Sequence, residues 1–379
     1  STPLYSSAAS DVYKRQAFNS FKEYIKGINY RIGDRNMKKF LIFMLSITVV
    51  VLLAACNNES EDKDTKDDDA SSKSETVQLE NTFTVTGEAE DGSEDKEVKE
   101  KVEIEQNPEK VVVFDYGILD LLNKIDATDK IIGVPKGNGT STLPEFLSDF
   151  NKEEIENIGS VKEPDFEKIA ELQPNVILIS ARQATQKNLD EFKKAAPDAK
   201  VVYVGPDTNN YVESMKINAQ NIGKIFDKEA EVKKHIDQLD QAIEDVKTVA
   251  QDSDKKAMFV LANEGELSTY GPGGRFGFIF SELGLTPADK DVKESGHGQV
   301  ISFEYINAKN PDIIYAMDRG VAIGGKSSAK KALGNKVIKD VNAIKNDNVI
   351  EVDPYIWYLA GGSVTTTLEQ INEVKEGLK

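Results

Sequence analysis

Arginine and glutamate side chains recur at matching positions in the two halves of this chain. Two segments, residues 165–182 and 302–319, share Phe, Glu, Ile, Pro and Arg at identical offsets. An arginine presents five N–H donors in a fixed planar geometry and stays protonated, which suits the binding of an anion. The repetition predicts two related lobes, each offering one arginine to an anionic ligand. The matched pairs are Glu167 with Glu304 and Arg182 with Arg319.

Each copy also indicates the elements that hold these side chains. Asp165 and Ser302 are residue types that cap helix N-termini, and a Phe and an Ile three positions apart give each short helix one apolar stripe. A proline then ends the helix, and a run of branched apolar residues predicts a parallel strand buried on both faces. Because the helix runs antiparallel to the strand that follows it, the helix start and the strand end share one edge of the sheet.

Ligands of open α/β sheets bind beyond the carboxyl ends of the strands, and this is where the sequence places Arg182 and Arg319. Glu167 and Glu304 are expected at the same edge. The alternative interpretation is that each glutamate only complements the helix dipole and each arginine is a solvated loop end. The repetition at matched offsets favours the functional interpretation.

The composition limits the partners of the chain. Its 379 residues are enough for two domains, and its formal net charge is −18. Between residues 57 and 105 there are 18 acidic residues against 6 lysines. An acidic surface disfavours nucleic acid and anionic membranes as partners, although a few local arginines can still hold an anion. The single cysteine excludes an intramolecular disulfide and a cysteine metal cluster.

The N-terminal region is typical of a secreted protein with a lipid anchor. We interpret residues 1–36 as an upstream extension that is not native, and residues 37–55, with two lysines before an apolar run, as a lipoprotein signal peptide. The segment that ends at Cys56 resembles a bacterial lipobox, whose cysteine is lipidated and becomes the mature N-terminus. The alternative is a chance run of small residues before a free cysteine. Residues 56–75 are then expected to form a disordered acidic tether.

The rest of the chain predicts an α/β protein of two lobes with mostly parallel central sheets. Strands alternate with helices, after a β-hairpin between Thr76 and Ile104. Residues 76–226 form the N-terminal lobe and residues 252–379 the C-terminal lobe, with the ligand expected in the cleft between them.

One long helix is expected to join the lobes, within residues 227–251. It is capped by Asp227, runs from about Lys228 to Ala250 without Gly or Pro, and carries one apolar stripe. At 1.5 Å per residue it spans about 35 Å, which is enough to bridge two lobes. The alternative is an ordinary helix within one lobe.

Three further positions could contribute to a site. The glycine loop that ends at Arg275 precedes an apolar helix, predicted over residues 276–283, and offers backbone donors to an anion. A plain turn is the alternative, and the absence of a phosphate-loop lysine argues against nucleotide binding. For His297, metal ligation, hydrogen bonding and simple exposure remain open. Tyr358 belongs to an aromatic cluster with Tyr355 and Trp357, for which core packing is the usual explanation.

The sequence does not favour an enzyme. No nucleophile with an identifiable base stands out, and two histidines are too few for a zinc site with repeated histidine ligands. We therefore expect a binding protein without catalytic residues.

The lipobox, the repeated Phe-Glu-x-Ile copies, the single bridging helix, the glycine loop and the Trp357–Gly362 run together resemble one known family. This family comprises the ferric-siderophore substrate-binding lipoproteins of ABC importers, with two lobes joined by one rigid helix. The resemblance covers about residues 76–379, and it is greatest to the binders of iron–catecholate siderophores such as petrobactin and enterobactin.

The resemblance implies roles for individual residues. Arg182, Arg275 and Arg319 would hold the anionic ferric complex in the cleft. His297 and Tyr358 would complete the iron coordination of a tetradentate catecholate, and phenolate oxygen suits the hard ferric ion. Iron would then be present only as part of the bound siderophore, with no intrinsic cofactor.

The resemblance also implies partners and a location. Glu167 and Glu304 would dock onto the ABC permease, and the protein would act as a monomer anchored by lipid to the outer face of the cytoplasmic membrane, as in Gram-positive bacteria. The same scaffold with haem, cobalamin or a hydroxamate siderophore as ligand is the main alternative. A lipid-anchored metal-dependent hydrolase and a surface adhesion module are alternatives from other classes.

Overall fold

The computed structural model describes residues 75–87, 95–138, 143–293, 298–325 and 328–379. Cys56, the leader and most of the tether lie outside the described residues, and so does His297. None of the helices within the described ranges is long and apolar enough to cross a membrane.

A two-stranded hairpin precedes the first lobe, as predicted. Strands β1 (Thr76–Val85) and β2 (Lys96–Glu105) pair in antiparallel register, with Thr76 opposite Glu105 and Val85 opposite Lys96. Alternate side chains of β1 point inward, because successive residues of a strand face opposite sides of the sheet. The buried face packs on the first lobe through Leu79, Phe83, Val85 and Ile104.

The first lobe has a fully parallel sheet in the order β5-β4-β3-β6-β7. Its central strands β3 and β6 are buried along their whole length, in agreement with their unbroken apolar sequences. The strands are β3 (Val111–Val113), β4 (Ile131–Val134), β5 (Glu156–Asn157), β6 (Val176–Ile179) and β7 (Lys200–Tyr203). The helices of this lobe are α1 (Tyr116–Lys124), α2 (Phe166–Leu172), α3 (Gln186–Ala195) and α4 (Tyr211–Ile225), with a 3₁₀ helix at Glu145–Phe150.

Helix α5 (Glu229–Gln251) follows α4 and leads into the second lobe, as predicted. Its predicted apolar stripe is buried and packs against α4 and the C-terminal helix. The predicted cap is wrong: Asp227 has a φ of 54° and lies in the turn, while Lys228 occupies the capping position without a side-chain hydrogen bond. The left-handed conformation that Asp tolerates here makes the turn between the two helices. The stripe consists of Val232, Ile236, Leu239, Ile243 and Val246.

The second lobe has a mixed sheet in the order β11-β9-β8-β12-β13, with β10 also paired to β8. Strands β8, β12 and β13 are parallel, whereas β9 and β11 run antiparallel to their neighbours. The strands are β8 (Lys256–Asn263), β9 (Glu266–Tyr270), β10 (Thr286–Pro287), β11 (Gln299–Ile301), β12 (Ile313–Asp318) and β13 (Val349–Glu351). The helices are α6 (Phe278–Ser281), α7 (Phe303–Lys309), α8 (Arg319–Ala322), α9 (Ala329–Ala332), α10 (Asn342–Lys345) and α11 (Val364–Leu378), with a 3₁₀ turn at Lys336–Ile338 and a π-helical turn at Tyr355–Leu359.

The repeated segments fold alike. Helices α2 and α7 each have seven residues, and the side chains of Asp165 and Ser302 accept hydrogen bonds from backbone N–H groups in the first turn, at 3.0 and 3.3 Å. Each helix ends at a residue in the left-handed conformation, Gln173 at φ 47° and Asn310 at φ 43°. The proline that was predicted to end the helix follows directly. This stop is consistent with the steric restriction that proline places on the residue before it.

The helix predicted after the glycine loop is shorter than expected. It forms a single turn, Phe278–Ser281, although Phe276 and Leu283 on either side are also buried. The loop folds back on itself at Gly277, where an added Cβ would lie 2.1 Å from the carbonyl oxygen of Pro272. The apolar residues are therefore used for core packing and not for a longer helix.

Candidate ligand-binding site

The three arginines singled out from the sequence meet at one residue, Tyr358. Arg182 and Arg275 donate from Nη2 to the backbone carbonyl of Tyr358, at 2.5 and 2.6 Å. Arg319 donates from Nε to the Tyr358 hydroxyl at 2.8 Å. The guanidinium carbons of Arg182, Arg275 and Arg319 lie 5.9, 4.6 and 5.5 Å from the centre of the tyrosine ring. The fold therefore brings four of the predicted site residues into one contact cluster.

Arg182 reaches this cluster from the carboxyl end of β6, as the repeat predicted. The loop after the strand is fixed by Gln183, whose buried side chain accepts a hydrogen bond from the Ser180 N–H at 3.0 Å. Burial lowers the pKa of Arg182, and the positive charge of Arg275 lowers it further, while the charge of Asp115 acts in the opposite direction. Burying two positively charged guanidinium groups close together costs free energy, and a bound anion would offset this cost.

Arg319 reaches the cluster from the carboxyl end of β12. The side chain of Asp318 caps the short helix α8 by accepting from the Gly320 N–H at 2.8 Å, which sets the direction of the chain after the strand. Arg319 also donates from Nη1 to the side-chain oxygen of Asn263 at 2.9 Å. Its guanidinium is thus held between Asn263 and Tyr358.

Arg275 stands at the end of the glycine loop, beside Phe276. Its guanidinium carbon is 5.2 Å from the centre of the Phe276 ring, so that it stacks between this ring and Tyr358. Such contacts hold an arginine in place without neutralising its charge. Its charge remains available to an anionic ligand.

Tyr358 differs electrostatically from the other tyrosines of the site. Burial by itself raises the pKa of Tyr358, but the hydrogen bond from Arg319 and the charges of Arg319, Arg275 and Lys162 outweigh it, so that the pKa lies below its ordinary value. Burial raises the pKa of Tyr203 and of Tyr211 to about 12. The pKa values of these two tyrosines and that of Tyr358 are therefore shifted in opposite directions.

A cavity of about 600 Å³ opens beside the arginine cluster, and residues of both lobes line it. Trp357 is buried and packs against Phe259 and Phe278 at ring distances of 5.1 and 5.6 Å, so the predicted role in core packing is confirmed for this member of the aromatic cluster. Its indole also reaches the cavity wall. The wall includes Asp115, Arg182, Tyr203, Tyr211, Arg275 and Trp357.

Several residues of this site were not predicted from the sequence. Asp115 follows β3 as Arg182 follows β6, so the rule for the carboxyl ends of strands could have identified it. Its carboxylate caps helix α1 by accepting from the Ile118 N–H at 2.9 Å, and burial raises its pKa despite this bond and the charge of Arg182. Asn263, at the end of β8, follows from the same rule. Tyr203 and Tyr211 gave no signal before the fold was known.

Glu167 and Glu304 do not line the cavity. Both are exposed, one residue inside the start of α2 and α7, so their equivalent placement in the two lobes is confirmed. Hydrogen bonds from its own backbone N–H and from the Ser302 hydroxyl lower the pKa of Glu304. Within the described ranges, no group of three or more His, Cys, Asp or Glu side chains could hold a metal ion.

Most of the chain is similar in sequence to known proteins. The petrobactin-binding protein YclQ of Bacillus subtilis is 40% identical over 343 residues, which are 90% of this chain and 100% of that protein. The ferric-anguibactin-binding protein FatB of Vibrio anguillarum is 31% identical over 280 residues, 72% of this chain and 84% of that protein.

Solved structures agree with these sequence matches. A crystal structure of YclQ has a TM-score of 0.69 at 43% identity and covers 79% of this chain and 99% of its own. The periplasmic catecholate-siderophore binding protein VctP of Vibrio cholerae has a TM-score of 0.66 at 29% identity, with 78% and 99% covered. The predicted α/β fold of two lobes is therefore confirmed.

The family model of the periplasmic binding proteins matches residues 111–356, a range that includes both repeated segments, the glycine loop and the helix between the lobes. Together with relatives that are matched over most of their length, this range confirms the resemblance drawn from the motifs. The chain belongs to the periplasmic binding protein family.

Proposed function

We propose that this protein captures an anionic ferric-siderophore complex, of the catecholate type, and delivers it to an ABC permease for iron uptake. The observation that carries the proposal is the convergence of Arg182, Arg275 and Arg319, drawn from both lobes, on Tyr358 beside an aromatic-lined cavity. The proposal agrees with the names of the relatives, which bind petrobactin, ferric anguibactin and catecholate siderophores.

The charge of the site fits this class of ligand. A ferric tris-catecholate carries about three negative charges, and three arginines within reach of one point can balance them in a partly buried cleft. The Tyr358 carbonyl accepts from both Arg182 and Arg275, in the manner of an anionic oxygen. Tyr203 and Tyr211 in the cavity wall offer ring surfaces to catechol groups.

Tyr358 and His297 are proposed as iron ligands when the siderophore is tetradentate and leaves two coordination positions open. The lowered pKa of Tyr358 supports this role, because phenolate oxygen is the form that binds a hard ferric ion. Iron enters the site as part of the siderophore complex, and we propose binding without turnover.

Delivery requires a location and a docking surface. We propose that Cys56 carries a lipid anchor on the outer face of the cytoplasmic membrane and that residues 56–75 tether the monomeric lobes to it. Glu167 and Glu304 are proposed to dock onto the permease, one on each lobe. Their exposure and their equivalent positions at the starts of α2 and α7 support this role.

A titration that follows tryptophan fluorescence tests the ligand class. Trp357 is the only tryptophan of the chain and lines the cavity, so its emission reports on the site. Ferric catecholates should quench it at low concentration, whereas a neutral ferric hydroxamate, haem and cobalamin should bind much more weakly. Tight binding of haem, cobalamin or the hydroxamate, with none of a catecholate, would contradict the proposal, and chemical turnover of the ligand would indicate an enzyme.

A further inference from the structure

The residue on which the three arginines converge belongs to an unusual backbone segment, the π-helical turn Tyr355–Leu359. The turn is closed by a hydrogen bond from the Ala360 N–H to the Tyr355 carbonyl at 2.9 Å, which spans five residues. Single π turns are rare, and they occur frequently at functional sites. Contacts from outside the turn are needed to hold it, and the C-terminal helix α11 supplies them.

Among the contacts from α11 to this segment, the shortest is made by Glu373. Its Oε1 accepts from the Asp353 N–H at 2.9 Å, directly before the turn, and its Oε2 accepts from the Trp357 indole N–H at 2.5 Å, inside the turn. The neighbouring contact from Gln370 Nε2 to the Ile356 carbonyl is longer, at 3.4 Å. The Glu373 carboxylate therefore holds the turn at two points.

The carboxylate of Glu373 is not engaged elsewhere in the described part of the chain, where no Lys or Arg forms an ion pair with it. Burial raises its pKa, while the hydrogen bonds from Trp357 and from the Asp353 N–H act in the opposite direction. A partly buried carboxylate without a cation is costly unless its oxygens accept hydrogen bonds. Both of its oxygens are used to hold the segment that carries Tyr358.

Asp353 fixes the start of the same segment from within. Its Oδ1 accepts from the N–H groups of Tyr355 and Ile356, at 2.8 and 3.3 Å. Glu373 thus contacts the backbone of Asp353, and the side chain of Asp353 in turn contacts the backbone at the start of the turn. The Tyr358 carbonyl, which accepts from Arg182 and Arg275, lies in the segment that these contacts hold.

We propose that Glu373 is a positioning residue for the anion site: by holding Asp353 and Trp357 it sets the Tyr358 turn on which the arginines of both lobes converge. This proposal rests on the proposed function for the nature of the ligand. Glu373 does not line the cavity and acts only through the turn.

The test is Glu373→Gln, which has nearly the same shape but only one acceptor oxygen, so that its NH₂ group must face one of the two N–H donors. The matched control is Glu376→Gln, an exposed glutamate of the same helix that pairs with Lys379. E373Q should weaken the binding of a ferric catecholate at least about fivefold, or about 1 kcal/mol, and should shift the emission of Trp357 in the ligand-free protein. E376Q should change neither.

A double-mutant cycle separates positioning from a general loss of stability. Trp357→Phe removes the indole donor. E373Q should therefore reduce the binding affinity less in the W357F background than in the wild type. The absorbance of the ferric ligand measures the affinity in both backgrounds. An E373Q variant that melts at a lower temperature but binds like the wild type below its transition would overturn the proposal. Equal losses in both backgrounds would also overturn it.

A crystal structure of ligand-free E373Q decides the matter independently of the ligand. The Tyr358 carbonyl should no longer lie within hydrogen-bond distance of both Arg182 and Arg275. An unchanged turn would overturn the proposal. Failure of the wild type to bind any ferric catecholate would contradict the proposed function, while this structural comparison would still decide the role of Glu373.

Discussion

Arg319 donates a hydrogen bond from Nε to the hydroxyl oxygen of Tyr358 at 2.8 Å, and its guanidinium carbon lies 5.5 Å from the centre of the tyrosine ring. The contact joins the carboxyl end of a strand to a π-helical turn distant in sequence. It stabilises the phenolate form of Tyr358 and leaves two N–H groups of Arg319 Nη2 for a ligand. In the proposed site, Arg319 would therefore contact the anion and also lower the pKa of Tyr358, the proposed iron ligand.

The first prediction concerns the arginines. Each of Arg182→Ala, Arg275→Ala and Arg319→Ala should weaken ferric-catecholate binding at least about tenfold, because removing one partner of a buried charge pair typically costs about 2–5 kcal/mol. Fluorescence titration of each variant gives the dissociation constants. Lys375→Ala, an exposed cation remote from the cavity, is the control and should bind normally. Wild-type affinity in all three variants would show that these arginines do not bind the ligand.

The second prediction concerns Tyr358 and His297. Tyr358→Phe and His297→Ala should weaken the binding of a tetradentate ferric catecholate more than that of a hexadentate one. The six donor atoms of a hexadentate ligand already occupy all six coordination positions of the iron. Parallel titrations with both ligand types measure the difference. Equal losses for the two types would show that neither side chain reaches the iron.

The third prediction concerns the ionisation of Tyr358. The hydrogen bond and charge of Arg319 lower its pKa, so that Arg319→Ala should raise the pKa. The phenolate absorbance in a pH titration, taken as the difference between each protein and its Y358F counterpart, isolates this one tyrosine. A transition at the same pH with and without Arg319 would contradict the assignment of the cause.

The fourth prediction concerns docking. Reversing both Glu167 and Glu304 to Lys should leave siderophore binding intact and abolish uptake, because like charges repel across the interface with the permease. Cellular uptake and binding to the purified protein are measured side by side. The control reverses Glu229 and Glu376, which are also exposed helix glutamates. Parallel loss of binding and uptake would place Glu167 and Glu304 in the ligand site instead.

The fifth prediction concerns Asp289, which accepts from the Tyr305 hydroxyl at 2.5 Å and from Lys309 Nζ at 2.7 Å. Burial acts to raise its pKa, but these bonds lower it to about 2. A lowered pKa stabilises the fold above the unfolded value of about 3.9, and this contribution is lost as the pH falls towards 2. Asp289→Asn should therefore cost about 1–3 kcal/mol near neutral pH and less in acid, as measured by urea unfolding. The same loss at every pH would contradict this account.

Much of the architecture followed from local sequence. The repeat at matched offsets, the buried stripe of α5 and the strand ends that carry Arg182 and Arg319 were all predicted, because caps, periodicity and proline stops act over a few residues. The Asp227 cap and the length of α6 were predicted wrongly. In both cases a backbone conformation fixed by packing took precedence over the local pattern.

Local sequence patterns were enough to predict the two lobes, the arginines and the positions at which these side chains leave their strands. The meeting of Arg182, Arg275 and Arg319 at Tyr358, and the contact between Arg319 and Asn263, became visible only in the folded molecule. Local patterns carry no information about which strand ends face each other across a cleft. That choice depends on how α5 packs against α4 and α11, and it is a property of contacts between residues far apart in the chain.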